Sequence, residues 1–170
     1  LVRRALAPER SLAIRRDYVY FPDPTKEDDT TEVVCRYPQF FATRKLRDHI
    51  LSHLRSVGGD GKGGTYFGAT GCGKAYTMLF LARQLALRCR EQLGSPTILI
   101  IVDREDLETQ SGKLFCRSKR YLEDEAVKVF ETRKELAEEM SMRKSGGVYI
   151  NTIQKFAEST REHTERSNVS

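Results

Sequence analysis

Thr65-Tyr66-Phe67-Gly68-Ala69-Thr70-Gly71-Cys72-Gly73-Lys74-Ala75-Tyr76-Thr77 joins a short apolar stretch to a long amphipathic one through a glycine-rich run. Its spacing fits G-x-x-x-x-G-K-[ST]. In that motif glycines let successive backbone N–H groups converge on phosphates, the lysine reaches the β and γ oxygens, and the hydroxyl binds Mg²⁺. Gly68, Gly73 and Lys74 match, but Ala75 stands where the hydroxyl belongs. A bare G-x-x-x-x-G-K also arises by chance as a tight turn, so context decides. Here it lies between an expected strand at Gly64–Phe67 and an expected helix, at the start of a strand–helix alternation. That context favours nucleotide binding, with phosphate on the N–H groups from Thr70 to Ala75 (Gly71 and Cys72 among them) and on the positive end of the helix dipole. Thr77 lies ~200° around the helix from Ala75 and is a poor substitute ligand. Water in the missing position would leave Mg²⁺ binding weakened rather than abolished; a degenerate, inactive copy of the motif is an equal alternative.

Downstream, the helix is expected to bury Met78, Leu81, Ala82, Leu85, Ala86 and Cys89 and to expose Arg83, Arg88 and Arg90. Leu93-Gly94-Ser95-Pro96 ends it. Thr97 to Val102 is nearly all β-branched and apolar, as in a central strand buried on both faces. Asp103-Arg104 follows, then a helix over Glu105–Phe115 and a strand over Val127–Phe130. Thr132-Arg133-Lys134-Glu135 is a capping box opening a helix to about Arg143. Gly146-Gly147 leads into a fourth strand, Val148–Asn151. The alternation predicts an α/β domain with a parallel sheet and flanking helices.

In such sheets ligands bind beyond the carboxyl ends of the strands. Arg104, Thr152, Gln154 and Lys155 all follow expected strands, and their guanidinium, hydroxyl, amide and ammonium groups suit contacts to a nucleic-acid backbone. For Asp103-Arg104 a solvated helix start explains the residues equally well.

Upstream of the loop, Pro8-Glu9 opens a short helix, and Asp17–Phe21 and Glu32–Arg36 read as strands around a loop rich in proline and acid. Pro38–Leu54 carries Phe41, Leu46, Ile50 and Leu54 at near-helical spacing. Gly58–Gly64 is a glycine-rich connector.

With 170 residues the chain has room for one domain or part of one. Twenty-nine basic against 24 acidic residues give +5, compatible with a polyanionic partner without proving one. Cys35, Cys72, Cys89 and Cys116 form no C-x-x-C pair, and His49, His53 and His163 stand at no metal-ligand spacing. No metal site, disulfide framework or nuclease-type carboxylate cluster is therefore expected. No apolar run approaches the ~20 residues of a membrane span, and no signal peptide opens the chain. A soluble, cytoplasmic protein with reduced thiols is expected. The absence of an initial methionine and the polar tail suggest a segment of a longer chain.

The order of these strings resembles the restriction (R) subunit of type I restriction-modification enzymes, in the first motor domain of its superfamily 2 helicase portion, and the resemblance covers nearly the whole chain. Leu6–Arg10 with Tyr18–Phe21 is similar to the segment that links nuclease and motor. Arg36-Tyr37-Pro38-Gln39-Phe40-Phe41-Ala42 is similar to the element whose glutamine recognises adenine, a role that passes to Gln39. Gly71–Met78 corresponds to motif I, usually Gly-Ser-Gly-Lys-Ser in the family. Val102–Leu107 is similar to motif Ia, and Gly146–Phe156 to the DNA-touching segment after it.

The resemblance implies an incomplete RecA-like P-loop domain. Residues 1–30 would be an entry linker, 31–63 the adenine element and connector, and 64–170 the partial motor. It implies ATP and Mg²⁺ in the intact enzyme, double-stranded DNA as partner, and a complex with modification and specificity subunits. It also implies ATP-driven DNA translocation coupled to endonuclease cleavage. Cys72 and Ala75 depart from motif I, and the acidic D-E-A-H box does not occur in these 170 residues, so no complete catalytic set is present and little turnover is expected from this segment alone. The alternatives are a non-catalytic DNA-binding relic of a helicase and an unrelated P-loop enzyme such as a small-molecule kinase, for which neither acceptor site nor lid is evident.

Overall fold

The computed structural model describes residues 8–24, 31–102, 112–124, 127–130, 132–142 and 146–152. The chain divides into two compact units, Leu1–Gly94 and Ser95–Ser170.

In the first unit α1 (Pro8–Asp17) starts on proline, with Glu9 in its first turn and Arg15 and Arg16 in its last, as the helix dipole favours. β1 (Val19–Tyr20) pairs antiparallel with β2 (Val33–Val34). Both strands are shorter than expected. Asp17 remains helical, and the N–H of Tyr18 still donates to Ile14 O at 2.8 Å, so the helical ladder takes residues that the apolar pattern assigns to the strand. α2 (Tyr37–Ser52) follows, then a 3₁₀ turn (Arg55–Val57) and an irregular connector. α3 (Lys74–Arg83) runs into a π-helical turn (Gln84–Arg88) and α4 (Arg90–Leu93). Gly94, at φ +67°, stops the chain's helical course where Leu93-Gly94-Ser95-Pro96 predicts it. The core is aromatic: Tyr18 packs edge-on against Phe40 at 4.9 Å and lies 5.3 Å from Phe80.

Two expectations fail in this unit. Residues 64–67 form no strand, and Phe67 is 90 % exposed. Three non-glycine residues between Gly64 and Gly68 gain few ladder bonds against the entropy of the flanking glycines, and no strand pairs with them among the described residues. In the helix, Ala82 and Cys89 are buried as expected, but Met78, Leu81, Leu85 and Ala86 are only half-buried. Thr77, Leu79, Phe80 and Gln84 occupy the interior instead. The exchange at 77–81 precedes the π turn, which shifts the helical phase only from Gln84 onward.

The second unit is a parallel sheet with helices. β3 (Thr97–Val102) pairs along its length with β5 (Gly147–Thr152), whose other side takes β4 (Lys128–Val129). The order β3-β5-β4 makes β5 the central strand, not the Thr97–Val102 run. β3 alternates accordingly: Ile100 and Val102 are buried while Ile101 is half-exposed. Phe130, Leu136 and Tyr149 form the core with Leu99 against them. α5 (Lys119–Leu122) lies between β3 and β4 in the chain and α6 (Arg133–Met142) between β4 and β5, and a helical segment occupies 112–116. Thr132 caps α6 by accepting the N–H of Glu135 at 3.2 Å, as the capping box predicts. Asp124 accepts the N–H of Val148 at 3.0 Å and so ties the turn before β4 to the start of β5. Together the elements are α/β with a small parallel sheet. Among the described residues, no helix is long and apolar enough to cross a membrane.

Candidate functional site

The glycine-rich loop takes its shape from two left-handed residues. Gly71 has φ +76° and Gly73, the residue before the first turn of α3, has φ +80°. Side chains rarely adopt that region. The N–H of Cys72 donates to Ala69 O at 3.2 Å and closes the turn. A methyl group on Gly68 would lie 2.8 Å from Cys72 Sγ, so a larger residue there would force the thiol to move.

Lys74 folds back over this turn, its Nζ donating to Gly68 O at 2.9 Å and Ala69 O at 3.1 Å. Its ammonium is exposed and sits on the loop that a phosphate would approach. Thr70 is exposed on the same loop and Ala75 is half-buried just inside α3. Thr77 is buried, and its hydroxyl finds no hydrogen-bond partner. The Thr77 hydroxyl is therefore turned into the interior, away from the loop's solvent side. No His, Cys, Asp or Glu cluster among the described residues could hold a metal ion, and Ala75 supplies no oxygen. A nucleotide phosphate would meet the loop N–H groups and Lys74, and Ala75 offers Mg²⁺ no side-chain oxygen.

Gln39 reaches the loop from the first turn of α2. Its Oε1 accepts the N–H of Arg36 at 2.7 Å, and its Nε2 donates to Cys72 O and Gly73 O, each at 3.3 Å. Gln39 is almost fully buried. A methyl group on Gly73 would collide with its amide nitrogen. The glutamine is thus a brace between α2 and the loop. A cleft of about 320 Å³ opens beside it, lined by Arg36, Gln39, Gly71, Gly73 and Tyr76 together with Glu32, Val33 and Val34. The spacing Arg36-x-x-Gln39 before an apolar helix carries the signal for the capping bond. The bond to the loop, 34 residues away, has no local signal.

The cysteines are free thiols. Burial pushes the Cys35 thiol up to about 11 and raises that of Cys89, so neither is a ready nucleophile. His49 and His53 stack at 3.9 Å within one helix end, and His53 Nδ1 lies 2.8 Å from His49 O, a structural arrangement.

Of the candidate nucleic-acid contacts, Thr152 ends β5 in register with Val102 at the end of β3, on the carboxyl edge of the sheet. Arg104, Gln154 and Lys155 lie outside the described residues, as does Asp103.

Comparison with known proteins adds family evidence. Residues 38–170 match the model of the SWI2/SNF2 ATPase family. The chain is 29 % identical over 174 residues to the type I restriction enzyme HindI endonuclease subunit of Haemophilus influenzae, which covers 99 % of the chain and 16 % of that protein. It is 31 % identical over 166 residues to a putative type I restriction enzyme MjaVIIP endonuclease subunit of Methanocaldococcus jannaschii, covering 89 % of the chain and 15 % of that protein. A second protein of that organism, the putative MjaIXP endonuclease subunit, is 31 % identical over 148 residues, 83 % of the chain and 13 % of the relative. The chain thus spans about one sixth of the length of these relatives.

Proposed function

We propose a function from one premise: the chain belongs to the SWI2/SNF2 ATPase family, and its curated relatives are endonuclease subunits of type I restriction enzymes. Within such a subunit this segment is the ATP-binding and DNA-contacting part of an ATP-dependent DNA translocase coupled to endonuclease cleavage. Its fold is an incomplete RecA-like P-loop domain. Residues 1–30 act as entry segment, 31–63 as adenine element and connector, and 64–170 as partial motor. Double-stranded DNA and the modification and specificity subunits are its partners, in the cytoplasm.

The observation that carries this reading is the braced loop. Gln39, Gly73 and Lys74 are brought together from two helices by hydrogen bonds that hold a phosphate-sized turn at a helix N-terminus. In the nucleotide complex Lys74 exchanges its two carbonyl partners for phosphate oxygens. Gly68, Thr70, Gly71, Cys72, Gly73 and Ala75 supply the cradle, and the cleft next to Gln39 takes the base. Arg104, Thr152, Gln154 and Lys155 contact the DNA backbone. Mg²⁺ belongs to the intact enzyme, where the acidic box that the resemblance implies would hold it. A second reading, a DNA-binding relic, is favoured by Ala75.

Anisotropy of a fluorescent ATP analogue tests the proposal. Lys74→Ala is expected to weaken binding at least tenfold. Wild-type binding no tighter than that of Lys74→Ala would overturn the ATP site. Turnover well above background by the 170 residues would overturn the expectation of an inactive segment. A duplex titration with and without Mg²⁺-ATP identifies the relic, whose DNA affinity is indifferent to nucleotide.

A further inference from the structure

We propose that a second cleft in the first unit, separate from the glycine-rich loop, is an oxyanion site that takes a phosphate group. Its volume is about 670 Å³, and none of its lining residues is shared with the cleft beside Gln39. Arg10, Arg16, Arg44, Arg47 and Arg88 line it, against two carboxylates. One of these, Asp17, is engaged already: its Oδ1 accepts Arg88 Nε at 2.6 Å and its Oδ2 accepts Arg16 Nε at 3.0 Å and Nη2 at 2.9 Å. Arg44 is held over the Phe40 ring at 5.6 Å and pairs with no carboxylate among the described residues.

Charge alone would not make this a site. The second observation is a pair of buried donors without partners. Gln84 is 2 % exposed, and Arg47 Nη1 donates to its Oε1 at 3.2 Å. A guanidinium has no acceptor, so that bond fixes which end of the amide is oxygen. Gln84 lines the cleft, and its Nε2, with two N–H donors, is buried and unsatisfied. Tyr18 lines the same cleft, and its OH is equally buried and equally unpartnered. Burial also raises its phenol well above the ordinary range, so it stays protonated and donates.

The chemistry of the wall selects the ligand. A cation would meet the guanidinium groups, and an apolar ligand would leave both donors orphaned. An oxyanion satisfies Gln84 and Tyr18 and pairs with Arg44 through charge-assisted bonds. Phosphate of this kind reaches the cleft either as a small phosphorylated compound or as the phosphodiester of a nucleic acid.

The test uses the full chain with Lys74→Ala, so that the glycine-rich loop does not contribute, and two probes, pyrophosphate by calorimetry and a 20-bp duplex by anisotropy. Arg44→Ser, an exposed change, and Gln84→Met, a volume-conserving one, are added separately, with circular dichroism as the check on folding. A fivefold or greater loss of pyrophosphate affinity in both supports a small-molecule phosphate site. The same loss confined to the duplex supports a backbone contact. Unchanged affinities for both probes in folded Arg44→Ser overturn the proposal. An ATP site that fails its own test, with Lys74 intact, leaves this result unaffected.

Discussion

Gly73 meets two requirements that no other residue type satisfies together. Its φ of +80° costs an L-residue about 1–2 kcal/mol, and a methyl group there would strike the Gln39 amide nitrogen. Gly71 shares the first requirement, at φ +76°, but has open space around it. Gly71→Ala should therefore lower stability in urea by about 1–2 kcal/mol, and Gly73→Ala by clearly more, with loss of ATP affinity. Equal effects would show that the brace has no role. Ala75 supplies the complementary test. Ala75→Ser restores a hydroxyl at the first turn of α3, so ATP-analogue binding should tighten severalfold in Mg²⁺ and stay unchanged in EDTA. Tightening in EDTA as well would place the effect on the loop rather than the metal. At this scale the motif itself was readable, since G-x-x-x-x-G-K is local. The bond from Gln39 to the loop was not, because its partners are 34 residues apart in sequence.

Among elements, the end of α1 shows why local reading fails where it does. Asp17 belongs by pattern to a strand, yet it ends a helix and is buried between Arg16 and the π turn's Arg88. Burial alone would raise its carboxyl, but the hydrogen bonds and charges of Arg16 and Arg88 together hold it below the ordinary 3.8. A carboxyl depressed in the folded state stabilises the fold above its unfolded value, and that contribution is lost as pH falls below about 4 through the folded value. Asp17→Asn should cost about 1–3 kcal/mol at neutral pH and flatten the loss of stability below about pH 4, measured as urea midpoints. A variant retaining the wild-type acid limb would refute the linkage. The strand–helix alternation after Gly94 was legible because apolar period and capping are local signals. The rank of β3 was not, since an apolar run reads alike at the edge and at the centre. The short segment 64–67 was misread for the same reason: a strand exists only with a neighbour, and neighbours are not local. The arginine cleft likewise draws its residues from α1, α2 and the π turn, positions 10 to 88, with nothing in any one stretch to announce it.

For the molecule as a whole, a net charge of +5 does not by itself predict DNA affinity, so the proposed affinity rests on placed contacts. Salt dependence counts them. Each phosphate neutralised releases counterions and contributes about −0.9 to the slope of log affinity against log salt on duplex DNA. Of the four residues proposed at the carboxyl edge, only Arg104 and Lys155 are charged. They predict a slope near −1.8, or about a 12-fold loss of affinity between 50 and 200 mM salt. If the arginine cleft also meets the backbone, the slope steepens by a further unit or so for each guanidinium engaged, and Arg44→Ser removes that increment. Arg104→Ala should make the slope shallower by about 0.9 whichever holds, because it deletes one of the proposed contacts. A slope that Arg104→Ala leaves in place would remove this residue from the DNA track, while the response to Arg44→Ser would still report on the cleft.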